Sequence, residues 1–238
     1  MTTKKFVLMN HTNMQGHHFG CARVMRAIED GLTSRGGEVI ACLDGKQNWQ
    51  TSDVALAALA RADGIVINGE GTLHGGRKKA GWLIDIADHP VGVGKELSLI
   101  NTIYQNNPAS WGPRLAGFAH IFARESRSAD ALTQAVGRNV PWMGDLSTSM
   151  GPMPELSSRR GGIMIGDSVH NTITAALARL SQQLSPQADL VPLTISLREE
   201  NPYRPWLIRQ YRNQTVKLRQ SVQERRYPNL RYLGSEDA

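Results

Sequence analysis

The stretch Ala62–Gly76, A-D-G-I-V-I-N-G-E-G-T-L-H-G-G, constrains the fold more than any other part of the chain. It begins with a short apolar run, Gly64 to Ile67, the length of one strand buried on both faces. It then breaks at once into Asn68, Gly69, Glu70, Gly71, Thr72 and His74. Open parallel sheets bind ligands just past the carboxyl ends of their strands. Glycine lets the backbone turn sharply there and lets a ligand come close. Glu70 and His74 stand where such a ligand would lie, and both can carry protons. An ordinary strand-to-helix turn with a surface Glu and His is written with the same letters, so the stretch needs its context.

The context is an alternation of strands and helices. Lys4–Asn10 reads as a first strand, followed by a polar loop, His11 to His18, and a helix from Phe19 to Leu32. Gly36-Gly37 ends that helix, and Val39–Leu43 is the next strand. The first loop lacks G-x-G-x-x-G, so a dinucleotide fingerprint is absent. Gly16 and Gly20 still allow backbone N–H groups to reach an anion, with His17 and His18 beside it. Adjacent loop histidines are more often just solvated.

Thr51 or Ser52 caps a helix over Asp53–Arg61. After the glycine stretch comes a helix over Arg77–Ala87. Its opening Arg77-Lys78-Lys79 opposes the helix dipole, which points to an anion nearby or to a solvated basic cluster. Leu97–Tyr104 and His120–Ala123 are strands, with a short helix over Trp111–Phe118 between them. Ser126 or Ser128 caps a helix over Ala129–Val136, and Val140–Met143 is one more strand. Asn10, Glu70, Asn101, Arg124 and Asp145 all fall at strand carboxyl ends. Five such groups on one rim would form a site.

Residues 1–152 read as a Rossmann-like α/β domain and 153–162, rich in Pro, Ser and Gly, as a linker. Residues 163–238 read as a partial second Rossmann-like domain: strands at Ile163–Ile165, Leu190–Ile195 and Leu230–Leu233, with helices at Thr172–Leu184 and Trp206–Arg226. Its parallel strands leave an open edge. That edge implies a trimmed domain, an incomplete sequence, or cover by another element, a second copy or a partner chain.

Charge is uneven. Residues 1–155 carry 15 Lys and Arg against 14 Asp and Glu, and residues 156–238 carry 12 against 7. The excess lies partly on the last helix, whose Leu207, Ile208, Val216, Leu218 and Val222 make an apolar stripe. A helix packed on a sheet explains this better than a nucleic-acid surface. Apolar runs are too short to span a membrane, and the opening MTTKKFVLMN is no secretory signal. Two cysteines, Cys21 and Cys42, give no disulfide framework and no metal-ligand spacing, so a cytoplasmic home and no metal are expected.

The N-terminal loop and helix (Asn10–Leu32), N-G-E-G-T-L-H (Asn68–His74), the strand with Asn101 and Gln105, A-R-E-S (Ala123–Ser126) and G-D-L near Asp145 keep one order. In this order the sequence resembles the polysaccharide pyruvyl transferase family. The resemblance implies two Rossmann-like domains in a GT-B-like arrangement, the second one incomplete here. It implies transfer of a pyruvyl group from phosphoenolpyruvate, as co-substrate and without cofactor, to hydroxyls of a saccharide or lipid-linked saccharide, in cell-surface or exopolysaccharide synthesis. A site peripheral to the membrane fits that role. Glu70 and His74 then become the catalytic pair. Arg124, Gly69, Gly71 and Arg77 become donor-binding residues. Asn10, Asn13, His17, Asn101 and Asp145 become acceptor-binding residues. The family's second-domain Arg and His motif lies beyond the region matching Y-L-G-S-E-D and has no counterpart in this sequence. A GT-B glycosyltransferase using a nucleotide-activated sugar and a non-catalytic saccharide-binding subunit share the same features.

Overall fold

The computed structural model describes residues 3–12, 19–45, 47–149, 162–168, 170–184, 188–192, 206–207, 210–211, 214, 218, 221–222 and 225–230. The chain divides into two compact units. One comprises Met1–Thr12 and Arg23–Met150, the other Asn13–Ala22 and Gly151–Ala238.

The first unit is built on β1 (Lys5–Met9), β2 (Glu38–Leu43), β3 (Gly64–Asn68), β4 (Glu96–Thr102) and β5 (His120–Ala123). They form one sheet in the order β2-β1-β3-β4-β5, and every neighbouring pair is parallel. Helices α1 (Phe19–Thr33), α2 (Asp53–Arg61), α3 (Lys78–Ile84), α4 (Gly112–Ala116) and α5 (Ser126–Val136) join them. This is a Rossmann-like α/β fold.

Successive side chains of a strand point to opposite faces, and the two faces are covered differently. Val7, Met9, Ile65, Ile67, Leu97 and Leu99 share one core with residues of α2, α3, α4 and α5. Leu8 and Val66 pack instead against Val24, Met25 and Ile28 of α1. All five residues of β3 are buried, as the unbroken apolar run requires. Helix α2 illustrates the local logic. Ser52 Oγ accepts the N–H of Ala55 at 3.3 Å, Asp53 and Arg61 complement the helix dipole, and Ala55, Ala58 and Leu59 face the core.

Several expectations are corrected. The helix expected over Arg77–Ala87 is α3, which starts at Lys78 and tightens into a 3₁₀ turn over Asp85–Ala87. Strand β4 stops at Thr102, one residue after Asn101 takes a left-handed φ of 53°. The element over Trp111–Phe118 is a 3₁₀ turn, Ala109–Trp111, running into the short α4. Val140–Met143 makes only a single bridge, Trp142 to Ala123. Pro141 has no N–H to extend that ladder, and Trp142 is left 58% exposed. The cap of α5 is neither Ser126 nor Ser128 but Glu125, whose carboxylate accepts the N–H groups of Arg127 and Ser128. Ser128 Oγ meanwhile accepts the N–H of Tyr104 at 2.8 Å.

In the second unit β6 (Ile163–Gly166) and β7 (Ala188–Val191) pair in parallel, with α6 (Asn171–Leu184) between them. Asn229 Nδ2 donates to Ser181 Oγ at 2.6 Å and Ala188 O at 2.8 Å, beside a lone bridge from Leu190 to Leu230. The linker 153–161, the strand end at Leu193–Ile195 and residues 231–238 lie outside the described residues. Leu207, Leu218 and Val222, expected to pack on a sheet, are 72%, 68% and 57% exposed. Ile208 and Val216 of that stripe lie outside the described residues.

Candidate functional site

The strand order of the first unit reverses direction between β1 and β3. Doubly wound sheets of this order hold ligands in the crevice beyond the strand ends at that switch point. The residues there are Asn10 and Thr12 after β1, and Asn68, Glu70 and Thr72 at and after β3.

They form a connected polar cluster. Asn10 is 5% exposed and takes a left-handed φ of 59°. Its Nδ2 donates to Asn68 O at 2.5 Å and to Thr72 Oγ1 at 2.9 Å. Asn68 is 1% exposed. Its Oδ1 accepts the N–H of Glu70 at 3.2 Å, and its Nδ2 lies 3.3 Å from Glu70 Oε2. Thr12 Oγ1 donates to the same carboxylate oxygen at 3.1 Å. Glu70 is therefore a half-buried acid whose Oε2 is aimed by two donors, Thr12 in the loop after β1 and Asn68 at the end of β3. Asn10 pins the two strand ends together, so its amide shapes the crevice rather than reaching out of it.

The glycines of the motif divide their work. A Cβ on Gly69 would lie 2.3 Å from Thr102 Cβ and 2.8 Å from its Cα. Gly69 is thus required by the packing of β3 on β4, and its N–H donates to Ile100 O at 2.8 Å. Gly71 has φ of 56° with open space around it, so there the requirement is the turn. His74 bridges to Gln105 in the loop after β4. Gly75 N–H donates to Gln105 O, and Gln105 N–H to Leu73 O. His74 is half-buried on this two-loop ledge. Arg77 is exposed and precedes α3 without a side-chain cap bond. Lys78 lies over the Trp82 ring at 5.6 Å, so the basic opening of α3 has a partner of its own.

A second group gathers at the ends of β4 and β5. Arg124 Nη1 pairs with Asp145 Oδ2 at 2.8 Å, both side chains about one-third exposed (27% and 31%). Asp145 Oδ1 also accepts the N–H of Ser147 at 2.9 Å. Asn101 is 1% exposed. Its Oδ1 accepts the N–H of Leu146 at 3.1 Å, and its Nδ2 is buried without a hydrogen-bond partner among the described residues. An amide donor in that position is unusual and offers itself to an acceptor atom. Thr102 connects the two groups: Gly69 packs on its side chain, and its carbonyl accepts the N–H of Arg124 at 2.9 Å.

The structure thus brings together Asn10, Gly69 and Glu70 at the switch point, and Asn101, Arg124 and Asp145 at the neighbouring strand ends. His74 and Gly71 lie on the loop between β3 and α3, with Arg77 at its far end. Asn13 and His17 lie outside the described residues. Sequence reasoning missed Thr12, Asn68, Thr72 and Thr102 as parts of the site. Asn68 ends its strand as Asn10 follows its own, so the same strand-end argument reaches it.

No protein-family model matches this sequence, and no curated protein matches it. Among solved structures, a chain from a XylFII-LytSN complex is similar over 81% of this chain and 80% of that one, at 10% identity and a TM-score of 0.33. A likeness at that level carries no argument about this chain. No helix of the described residues is long and apolar enough to cross a membrane.

Proposed function

We propose that the first unit is the catalytic half of a pyruvyl transferase-like enzyme, acting from phosphoenolpyruvate on hydroxyls of a saccharide or lipid-linked saccharide. The observation that carries this reading is Glu70 at the β1/β3 switch point, its Oε2 aimed by Thr12 and Asn68. In the reaction the enol methylene of phosphoenolpyruvate takes up a proton. A saccharide hydroxyl adds to the central carbon, the phosphate leaves with its bridging oxygen, and a second hydroxyl closes the ketal. One hydroxyl proton balances the methylene and the other leaves with phosphate. Glu70 is the acid and base for these transfers, with His74 on the adjacent ledge as its partner. Arg124 supplies the cationic fork for the donor's carboxylate or phosphate, and its ion pair with Asp145 orients the guanidinium. The idle Nδ2 of Asn101 supplies a further donor.

The rest of the reading is a cytoplasmic protein, peripheral to the membrane where its acceptor is lipid-linked, with a second copy or partner on the edge of the small sheet. One observation favours a second reading, a saccharide-binding subunit without turnover: Arg124 is already neutralised by Asp145. Phosphate release from phosphoenolpyruvate, with a panel of oligosaccharide acceptors, separates the two. We expect release by the wild-type chain and a fall of at least ~100-fold in Glu70→Gln, the typical minimum for a lost acid–base group. Equal release by both proteins would remove Glu70 from the chemistry, and no release with any acceptor would favour the binding subunit.

A further inference from the structure

His11, Glu29 and Cys42 come from three elements and meet on the α1 side of the sheet. Cys42 lies on β2 opposite Leu8 of β1 and packs with the cluster that α1 makes with Leu8 and Val66. His11 follows β1, and its N–H extends the ladder to Leu43 O at 2.9 Å, which sets it beside Cys42. Glu29 follows Ile28, which faces the same cluster. The imidazole, carboxylate and thiol ligand atoms all lie within 4.8 Å of one another. His11 Nε2 and Glu29 Oε1 are 2.9 Å apart. His11 is 8% exposed, and its Nδ1 is buried with no hydrogen-bond partner among the described residues. Glu29 alone therefore does not satisfy this imidazole.

We propose that His11, Glu29 and Cys42 form a binding site for a divalent ion of the zinc class. Nitrogen, oxygen and sulfur donors together suit a borderline ion, and calcium or magnesium would refuse the thiolate. Zinc takes N and O ligands at about 2.0–2.1 Å and S at about 2.3 Å, so a tetrahedral site sets its ligand edges at roughly 3.3–3.6 Å. His11 Nε2 and Glu29 Oε1, hydrogen-bonded at 2.9 Å, need to part by a few tenths of an ångström as the ion replaces the shared proton, and a change of the Cys42 rotamer brings its sulfur in. Three protein ligands leave the fourth position to water. The ion would tie β1, β2 and α1 together directly beside Asn10 and Thr12. Sequence spacing gives no sign of this, because the ligands stand far apart in the chain: the parallel β1–β2 pairing brings His11 to Cys42, and the packing of α1 on that face brings Glu29. The site is independent of the pyruvyl-transfer reading, and its test involves no phosphoenolpyruvate.

The test is titration of the full chain with Zn²⁺ against a chromophoric chelator, and with Co²⁺ followed by absorption. We expect one equivalent of metal, a near-ultraviolet thiolate-to-cobalt band and the visible bands of four-coordinate cobalt. Cys42→Ser removes the charge-transfer band and weakens zinc binding by more than about 100-fold, the upper end for perturbing a metal shell. His11→Ala and Glu29→Gln also weaken binding, while Cys21→Ser changes nothing. Circular dichroism checks each variant's fold, and Cys42→Ser carries the test if His11→Ala does not fold. Absence of metal binding by the wild-type chain, or binding unchanged in folded Cys42→Ser, would overturn the proposal.

Discussion

Gly69 and Gly71 look alike in the sequence but answer to different constraints, and substitution separates them. Gly69→Ala drives a methyl group into Thr102, an overpacking that costs about 1–3 kcal/mol. Gly71→Ala meets no atom within 4 Å and suffers only from its positive φ, roughly 1–2 kcal/mol. Urea denaturation measures both. The sharper prediction is a loss of phosphate release in Gly69→Ala beyond that of Gly71→Ala, because Thr102 joins the Glu70 and Arg124 groups. A Gly71→Ala protein with the larger defect would contradict it. Arg124→Lys keeps the charge beside Asp145 but loses the fork, so donor affinity falls by about tenfold while folding is retained. Unchanged affinity would make Arg124 a purely structural partner of Asp145. At this scale the sequence was a partial guide. The strand-end positions of Glu70, Asn101 and Arg124 are legible in the sequence. The partner that Glu70 gains from the loop after β1 is not, because Thr12 reaches it only once β1 and β3 lie side by side.

Helix α5 depends on Glu125 at its start. The Ser128 hydroxyl holds the Glu125 carboxyl below its ordinary value of 4.5; burial opposes this, and the N–H groups of Ser128 and Arg127 add to the lowering. A carboxyl whose folded pKa is lowered stabilises the fold above its unfolded value, and the stabilisation disappears as pH falls through the folded value. Glu125→Ala is therefore expected to cost about 1 kcal/mol near neutral pH, with the difference from wild type shrinking as the pH drops below about 4. Thermal unfolding at a series of pH values measures this. A difference that persists undiminished in acid would mean the loss lies in packing and not in charge. The elements themselves were legible where the apolar pattern was strong: β3, β5 and α2 begin and end within a residue of expectation. The misreadings arose where a tertiary contact decided the outcome. Ser128 is committed to Tyr104 and leaves capping to Glu125, and Pro141 interrupts what reads as a strand.

For the molecule as a whole, the strand order could not be read from the sequence, yet it determines which strand ends adjoin. The order β2-β1-β3-β4-β5 makes Asn10 and Asn68 neighbours and sets the glycine-rich turn at the switch point. The first unit holds every described residue of the candidate site, and the proposal assigns donor binding to it. The most direct measurement is thermal unfolding of the chain with phosphoenolpyruvate and, separately, with nucleotide sugars. A ligand at 100 times its dissociation constant stabilises the native state by about 2.7 kcal/mol, roughly 5–10 °C for a chain of this size. The account predicts such a rise with phosphoenolpyruvate, a smaller one in Arg124→Lys, and none with nucleotide sugars. A rise with nucleotide sugars and none with phosphoenolpyruvate would contradict it.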